Sequence, residues 1–179
     1  MKYLITGAPG VGKTTLCLKV LGELQKAGVP CQGFITKEVR NPETHSRDGF
    51  DLISLDGGIH VPLARIGYPG PRVGRYGVCL DDFERNALPL LDAMHAERKD
   101  GCVVILDEIG KMESCSEQFE PKALRILTGR RPCLATIAQK GGGVIAAAKK
   151  LAGINLIEVT PSNRDKLVSE LYLNLCRDC

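Results

Sequence analysis

The chain alternates short apolar runs with longer stretches whose apolar positions recur at helical spacing. Tyr3 to Thr6 is a compact apolar run and predicts a buried strand. Behind it Leu16, Val20, Leu21 and Leu24 fall on one helical face and Gly28 stops the pattern, so a helix is expected to about Ala27. "VPCQGFITKEVR" (29–40), rich in Ile, Val, Phe and Thr, predicts a second strand. "NPETHSRDG" reads as a turn-rich loop. "FDLISLDGGIHVPLARI" reads as two alternating runs joined at Asp56-Gly57-Gly58, a hairpin signal. A Pro/Gly-rich loop follows, with Tyr76–Leu80 as one more short strand.

Regular alternation then resumes. Asp81 with Glu84 reads as a capping box with Asp in place of Ser or Thr. Phe83, Ala87, Leu91 and Met94 keep helical spacing, and Pro89 is expected to kink this helix or limit its first part. "CVVILDE" (102–108) is a continuous apolar strand ending in two acids. A helix over about 117–128, the strand "CLATIA" (133–138), a short helix in "VIAAAKKLAG" and the strand "NLIEV" (155–159) complete the series. Thr160 as N-cap and Pro161 as first helical residue open a final helix to about Leu175. Strands alternating with helices predict an α/β fold, a mostly parallel sheet with helices on both faces. Residues 40–80 read as a small antiparallel β-hairpin insertion in one domain spanning 1–179. Ligands of such sheets sit at the carboxyl ends of the strands.

Composition narrows the function classes. A length of 179 residues suits one domain with a substantial core. Lys+Arg 24 against Asp+Glu 21, with no basic block and few aromatics, does not indicate a nucleic-acid face. No apolar run reaches membrane-spanning length, and the one behind Lys2 is too short for a signal peptide, so a cytoplasmic protein is expected. The eight cysteines then read as free thiols, with Cys17, Cys79, Cys102 and Cys133 as small core residues. Cys176 and Cys179 form C-x-x-C, but no second pair completes a zinc site. His45, His60 and His95 lack metal-ligand spacing.

The candidate chemistry begins in "GAPGVGKTT". Gly7, Ala8, Pro9, Gly10, Val11, Gly12, Lys13, Thr14 and Thr15 have the full Walker A spacing between a predicted strand and a predicted helix. The loop is expected to wrap the phosphates of a nucleoside triphosphate in backbone N–H groups, at the positive end of the helix. Lys13 is expected between the β- and γ-phosphates, and the Thr14 hydroxyl on Mg²⁺. Asp107, ending "CVVIL", reads as the Walker B acid that holds Mg²⁺, and Glu108 as the group that polarises an attacking water. A Glu beside the Walker B Asp resembles the RecA-like division of P-loop proteins. That resemblance implies that 133–138 lies between the Walker A and Walker B strands, placing Thr136 or Gln139 to sense the γ-phosphate. Asn163-Arg164-Asp165 fails the guanine motif N-K-x-D, so a permissive base-contacting loop is expected there. Arg40, Arg47, Lys111 and Lys140 are candidate cations for the transition state, Lys140 beside three glycines that allow a mobile loop.

The segments "GAPGVGKTTL", "GFITKEVR", "RDGF", "ILDEIGKME", "TIAQKG" and "EVTPSNRD", in this order, resemble the cancer-related nucleoside-triphosphatase (THEP-type) family of RecA-like P-loop proteins. The resemblance covers nearly the whole chain. It implies Mg²⁺-dependent hydrolysis of nucleoside triphosphates to diphosphate and phosphate, with broad base tolerance. It also moves Lys111 into the catalytic set and the Thr36–Arg40 segment, with Glu38 and Arg40, among the candidate phosphate sensors. Two departures stand out. "NPETHS" separates Arg40 from Arg47 where the family has a short Gly-containing link, and Ser114-Cys115 follow "GKME" where the family tends to an apolar residue. Two other readings stay open at this level: a small-molecule or nucleotide kinase with its acceptor site in the insertion, and a nucleotide-gated switch that binds a protein partner.

Overall fold

A computed structural model describes residues 1–96 and 101–177; Cys179, and with it the C-x-x-C pair, lies outside the described residues. The elements run β1 (Lys2–Thr6), α1 (Lys13–Lys26), β2 (Cys31–Arg40), β3 (Arg47–Ser54), β4 (His60–Ile66), β5 (Arg72–Val73), β6 (Tyr76–Val78), α2 (Leu80–Ala96), β7 (Val103–Ile109), a 3₁₀ turn (Glu113–Cys115), α3 (Phe119–Thr128), β8 (Cys133–Ile137), α4 (Gly143–Lys149), β9 (Ile154–Glu158) and α5 (Arg164–Arg177). One nine-stranded sheet has the order β5-β6-β4-β3-β2-β7-β8-β1-β9. The strands β2, β7, β8, β1 and β9 pair in parallel, and β3 to β6 add antiparallel strands at one edge.

Side-chain alternation assigns the two faces. Tyr3, Ile5, Val103, Ile105 and Leu134 point to one side and pack under α1 and α5. Leu4, Phe34, Val104, Leu106, Cys133 and Ala135 point to the other, under α2, α3 and α4. Because both faces are covered, the central strands read as unbroken apolar runs in the sequence.

The antiparallel insertion continues the main sheet. β2 pairs with β7 through Phe34 and with β3 from Phe34 to Arg40, so a single long strand carries the main sheet into the antiparallel part. At Gly33 (φ 134) an added Cβ would lie 1.8 Å from the Ile105 carbonyl oxygen, so only glycine lets β2 approach β7 this closely. The extra "NPETHS" residues fold into the β2–β3 turn. The Asn41 side chain accepts the N–H groups of Glu43 and Thr44, and its backbone exchanges hydrogen bonds with His45 and Ser46.

Three local expectations need correction. α2 begins at Leu80, with the Cys79 carbonyl accepting the Phe83 N–H, so Asp81 lies inside the first turn and does not cap it. The helix also continues past Pro89, so the proline does not end its first part. α5 begins at Arg164, because the Asn163 side chain takes the Thr160 N–H (2.8 Å) and holds residues 160–163 as a turn, leaving Pro161 outside the helix. Among the described residues no helix is long and apolar enough to cross a membrane, and the cysteines are free thiols.

Candidate active site

The carboxyl ends of β1, β7 and β8 converge on the loop before α1. In that loop Gly7, Gly10 and Gly12 have φ of 148°, 77° and 104°. A Cβ on Gly7 would sit 2.8 Å from the Val159 carbonyl oxygen, so the loop packs tightly on the end of β9. The Val11 N–H bonds the Ala8 carbonyl (3.2 Å), closing the turn, while Ala8, Pro9, Gly10 and Thr15 are exposed. α1 starts at Lys13 with no acidic residue in its first turn, so its free N–H groups and positive end face an incoming anion without competition. The Lys13 ammonium folds back on the Gly7 carbonyl (3.2 Å).

Asp107 is fully buried at the end of β7. Its Oδ1 accepts the hydroxyls of Thr136 (2.5 Å) and Thr14 (3.1 Å). Burial pushes its carboxyl up, and the two hydroxyls, the Thr36 backbone N–H and the Lys13 charge pull it down, with burial the stronger effect. Among the described residues only Asp107 Oδ2 and Thr6 Oγ1 are buried side-chain polar atoms without a hydrogen-bond partner, and both sit at this end of the sheet. A buried carboxylate oxygen without a partner is costly in a finished core, so it is best explained as waiting for a ligand.

Glu108 follows in a cis peptide and is half-buried. Burial raises its carboxyl, the facing Lys13 ammonium lowers it and neighbouring Asp107 raises it again. A point one bond above Gly110 Cα lies 2.6 Å from Glu108 Oε1 and 2.8 Å from Glu113 Oε2. Glu113 is 2 % exposed and accepts the Gly110 N–H (3.1 Å). Burial first, and the Glu108 charge second, push its carboxyl up to about 8. Sequence reasoning passed over Glu113, which reads as one more polar residue at the end of "GKME". Its only signal was an acid in the strand-following motif, ahead of Ser114-Cys115.

The other predicted residues divide into four groups. Arg40 and Arg47 are both held by Glu38, with Nη2 contacts of 2.5 Å to its two oxygens, so the longer turn still brings the two arginines to one carboxylate. Thr136 is buried with its hydroxyl on Asp107. Lys111 and Lys140 are exposed. Lys111, Glu117, Glu120 and Gly141–Gly143 line an open groove of about 900 Å³. On the far side, both ends of the Asn163 amide are used by backbone: its oxygen by Thr160 N–H and its nitrogen by the Glu158 carbonyl (2.9 Å). Arg164 reaches the Val11 carbonyl (3.4 Å) and rests over Gly12.

A glycine-rich loop between a parallel strand and a helix, a buried Walker B acid two strands away and an intervening β8 define a P-loop nucleoside-triphosphate-binding protein of RecA-like order. The profile of the NTPase family matches residues 2–172, and the chain belongs to that family. It is 38 % identical over 175 residues to the nucleoside-triphosphatase THEP1 of Aquifex aeolicus, covering 96 % of this chain and 97 % of the relative. It is 37 % identical over 182 residues to the cancer-related nucleoside-triphosphatase homolog of Bos taurus, covering 96 % and 94 %. The crystal structure of the Aquifex THEP1 superposes with a TM-score of 0.85 at 34 % identity, covering 98 % of this chain and 99 % of that one.

Proposed function

We propose that the protein hydrolyses nucleoside 5′-triphosphates to the diphosphate and phosphate, with Mg²⁺ as cofactor and broad tolerance of the base. The observation that carries this reading is the pair Asp107–Glu108. One acid is fully buried with an unpartnered oxygen, and the next is half-buried and faces Lys13. The relatives' names as nucleoside-triphosphatases support it.

In this reading the loop N–H groups and the end of α1 bind the phosphate chain, and Lys13 neutralises the oxygens of the transferring group. Glu108 accepts a proton from water as the water oxygen bonds the γ-phosphorus and the bond to the β-phosphate oxygen breaks. The released diphosphate carries the electron pair. The donor set fits Mg²⁺: a hard cation that keeps several waters needs only the Asp107 carboxylate, the Thr14 hydroxyl and substrate phosphates. When bound, it would neutralise phosphate charge. Thr136 and the Thr36 N–H keep Asp107 aimed. Glu38 locks Arg40 and Arg47 at the carboxyl end of β2, where they serve as candidate phosphate-sensing groups with Lys111 and Lys140. Base tolerance is supported by the Asn163 side chain, whose oxygen and nitrogen each hold a backbone partner, so the residue at the place of the guanine motif is tied to its own turn.

The test is phosphate release from ATP, GTP, CTP and UTP with Mg²⁺, using Glu108→Ala and an EDTA control. Steady release from several nucleotides, lost in the variant and with chelator while nucleotide still binds the variant, is the expected result. Binding without release by the wild-type protein would refute self-contained hydrolysis and favour transfer to an acceptor.

A further inference from the structure

The phosphate loop lies between two unlike neighbours. On one side, across β8, stands β7 with Asp107 and Glu108, and Thr14 in the first turn of α1 reaches Asp107 (3.1 Å). On the other side stands β9. The chain leaving β9 packs on the loop directly. The Val159 N–H bonds the Thr6 carbonyl (2.8 Å), and a Cβ on Gly7 would lie 2.8 Å from the Val159 carbonyl oxygen. With the γ-phosphate held among Lys13, Thr14 and the two acids, the phosphate chain runs away from β7, and the nucleoside leaves the loop on the β9 side. There Thr160 and Ser162 share a hydroxyl–hydroxyl bond (2.9 Å), Asn163 is tied to its own turn, and Asp165 pairs with Lys19 (3.5 Å). Arg164 has no acid partner among the described residues. It is the first residue of α5, and its exposed guanidinium crosses to the loop. Nη1 makes one long hydrogen bond to the Val11 carbonyl (3.4 Å) and lies 3.7 Å from where a Cβ on Gly12 would stand. The rest of the guanidinium is left open to the site.

We propose that Arg164 holds the nucleoside: the plane of its guanidinium stacks on the base, and its bond to Val11 keeps that plane in register with the phosphate loop. The inference rests on the reading of the loop and the β7 acids as a nucleoside-triphosphate site, and it names the residue that grips the base. Every base presents a π face, and a guanidinium over that face is attracted whatever groups the base edge carries. Such a contact grips purines and pyrimidines alike, so it supplies affinity without choosing a base. A lysine at this place would keep the charge and lose the plane. The contact lies at the nucleoside end, away from the reacting bond, so it acts on substrate and transition state equally and is felt in binding rather than in the chemical step.

The test is calorimetric binding of ADP, GDP, CDP and UDP, with inorganic pyrophosphate as the probe that lacks a base, to wild type, Arg164→Ala and Arg164→Lys. Steady-state kcat and KM with the four triphosphates follow. Arg164→Ala is expected to weaken all four diphosphates by about 10-fold or more and pyrophosphate by less than about 3-fold. In turnover the loss is expected in KM, with kcat lowered by less than about 2-fold. Arg164→Lys is expected to stay at least about 3-fold weaker than wild type for each diphosphate. An equal loss for pyrophosphate overturns the proposal, because the guanidinium then serves the phosphates or the shape of the loop. A loss confined to one base overturns it as hydrogen-bond readout, and full recovery in Arg164→Lys overturns it as charge alone. Wild-type binding in Arg164→Ala leaves the guanidinium no part in holding the nucleoside. If the alanine variant fails to fold, the lysine variant decides. Wild type that binds the diphosphates through Arg164 but releases no phosphate from the triphosphates refutes hydrolysis and leaves this inference standing. Wild type that binds no diphosphate removes both.

Discussion

Gly110 carries no functional side chain, yet its replacement by alanine is expected to cut turnover. The added Cβ would lie 2.6 Å from Glu108 Oε1, 2.9 Å from Glu108 Cγ and 2.8 Å from Glu113 Oε2. Relaxed contacts between such atoms are about 3.5 Å or more, so both carboxyls must withdraw by roughly 1 Å. The backbone itself tolerates alanine, since Gly110 is not among the residues of positive φ. Glu108 is half-buried and swings aside at little cost, whereas Glu113 is buried and must press on its surroundings. Overpacking of this kind costs about 1–2 kcal/mol of stability. A base displaced by about 1 Å costs on the order of 100-fold in rate, equivalent to about 2.7 kcal/mol of barrier. Phosphate release would give kcat and KM, nucleotide binding at equilibrium would report on the phosphate loop, and urea unfolding would give stability. A large loss of kcat with unchanged binding is expected. Gly22→Ala in α1, where a Cβ meets nothing within 4 Å, is the matched control and should gain up to about 1 kcal/mol with normal kcat. Wild-type kcat in Gly110→Ala would refute the placement of Glu108 as the reacting base.

The remaining predictions concern the frame and its titration. Gly33→Ala should cost about 3 kcal/mol or more in urea unfolding, since a Cβ would meet the Ile105 oxygen at 1.8 Å in a left-handed conformation; a loss below about 1 kcal/mol would mean that β2 can shift off β7. Thr136→Val removes a hydroxyl donor from buried Asp107 and should cost about 1–3 kcal/mol as well as turnover, and unchanged values of both would show that Thr14 and the Thr36 N–H hold the acid unaided. Glu113 releases its proton near 4.5, the ordinary glutamate value, when unfolded and at about 8 when folded, so the folded state holds the extra proton between those values. Its stabilising contribution is therefore full below 4.5 and is lost as pH rises to about 8, with a slope of up to about 1.4 kcal/mol per pH unit. Unfolding at several pH values should show the slope in wild type and a flatter curve in Glu113→Gln; equal slopes would contradict the burial of that carboxyl.

The phosphate loop was legible because its chemistry is contiguous: a strand, three glycines of positive φ, a lysine and a helix follow one another within a few residues. The same holds for the β3–β4 hairpin, whose Asp-Gly-Gly turn and period-two alternation are local signals. Helix starts were less legible. Thr160-Pro161 carries the signature of a cap, but the Asn163 side chain claims the Thr160 N–H and delays α5 to Arg164. Glu38, Arg40 and Arg47 were each named as separate charges, whereas cross-strand pairing of β2 with β3 makes them one ion-paired cluster.

What the sequence by itself determined is therefore the type of each central element, the nucleotide-binding loop and the two acids at the end of β7. These follow from periodicity and spacing over a few residues, and they hold wherever the segments pack. Tertiary structure alone decided the partners of Asp107, because Thr14, Thr36 and Thr136 come from three distant segments that meet only once β8 lies between β1 and β7. It also decided the fate of Glu113, which becomes a buried acid because its turn folds back under Gly110. Burial and charge proximity are properties of the packed chain, and no pattern of neighbours along the sequence records them.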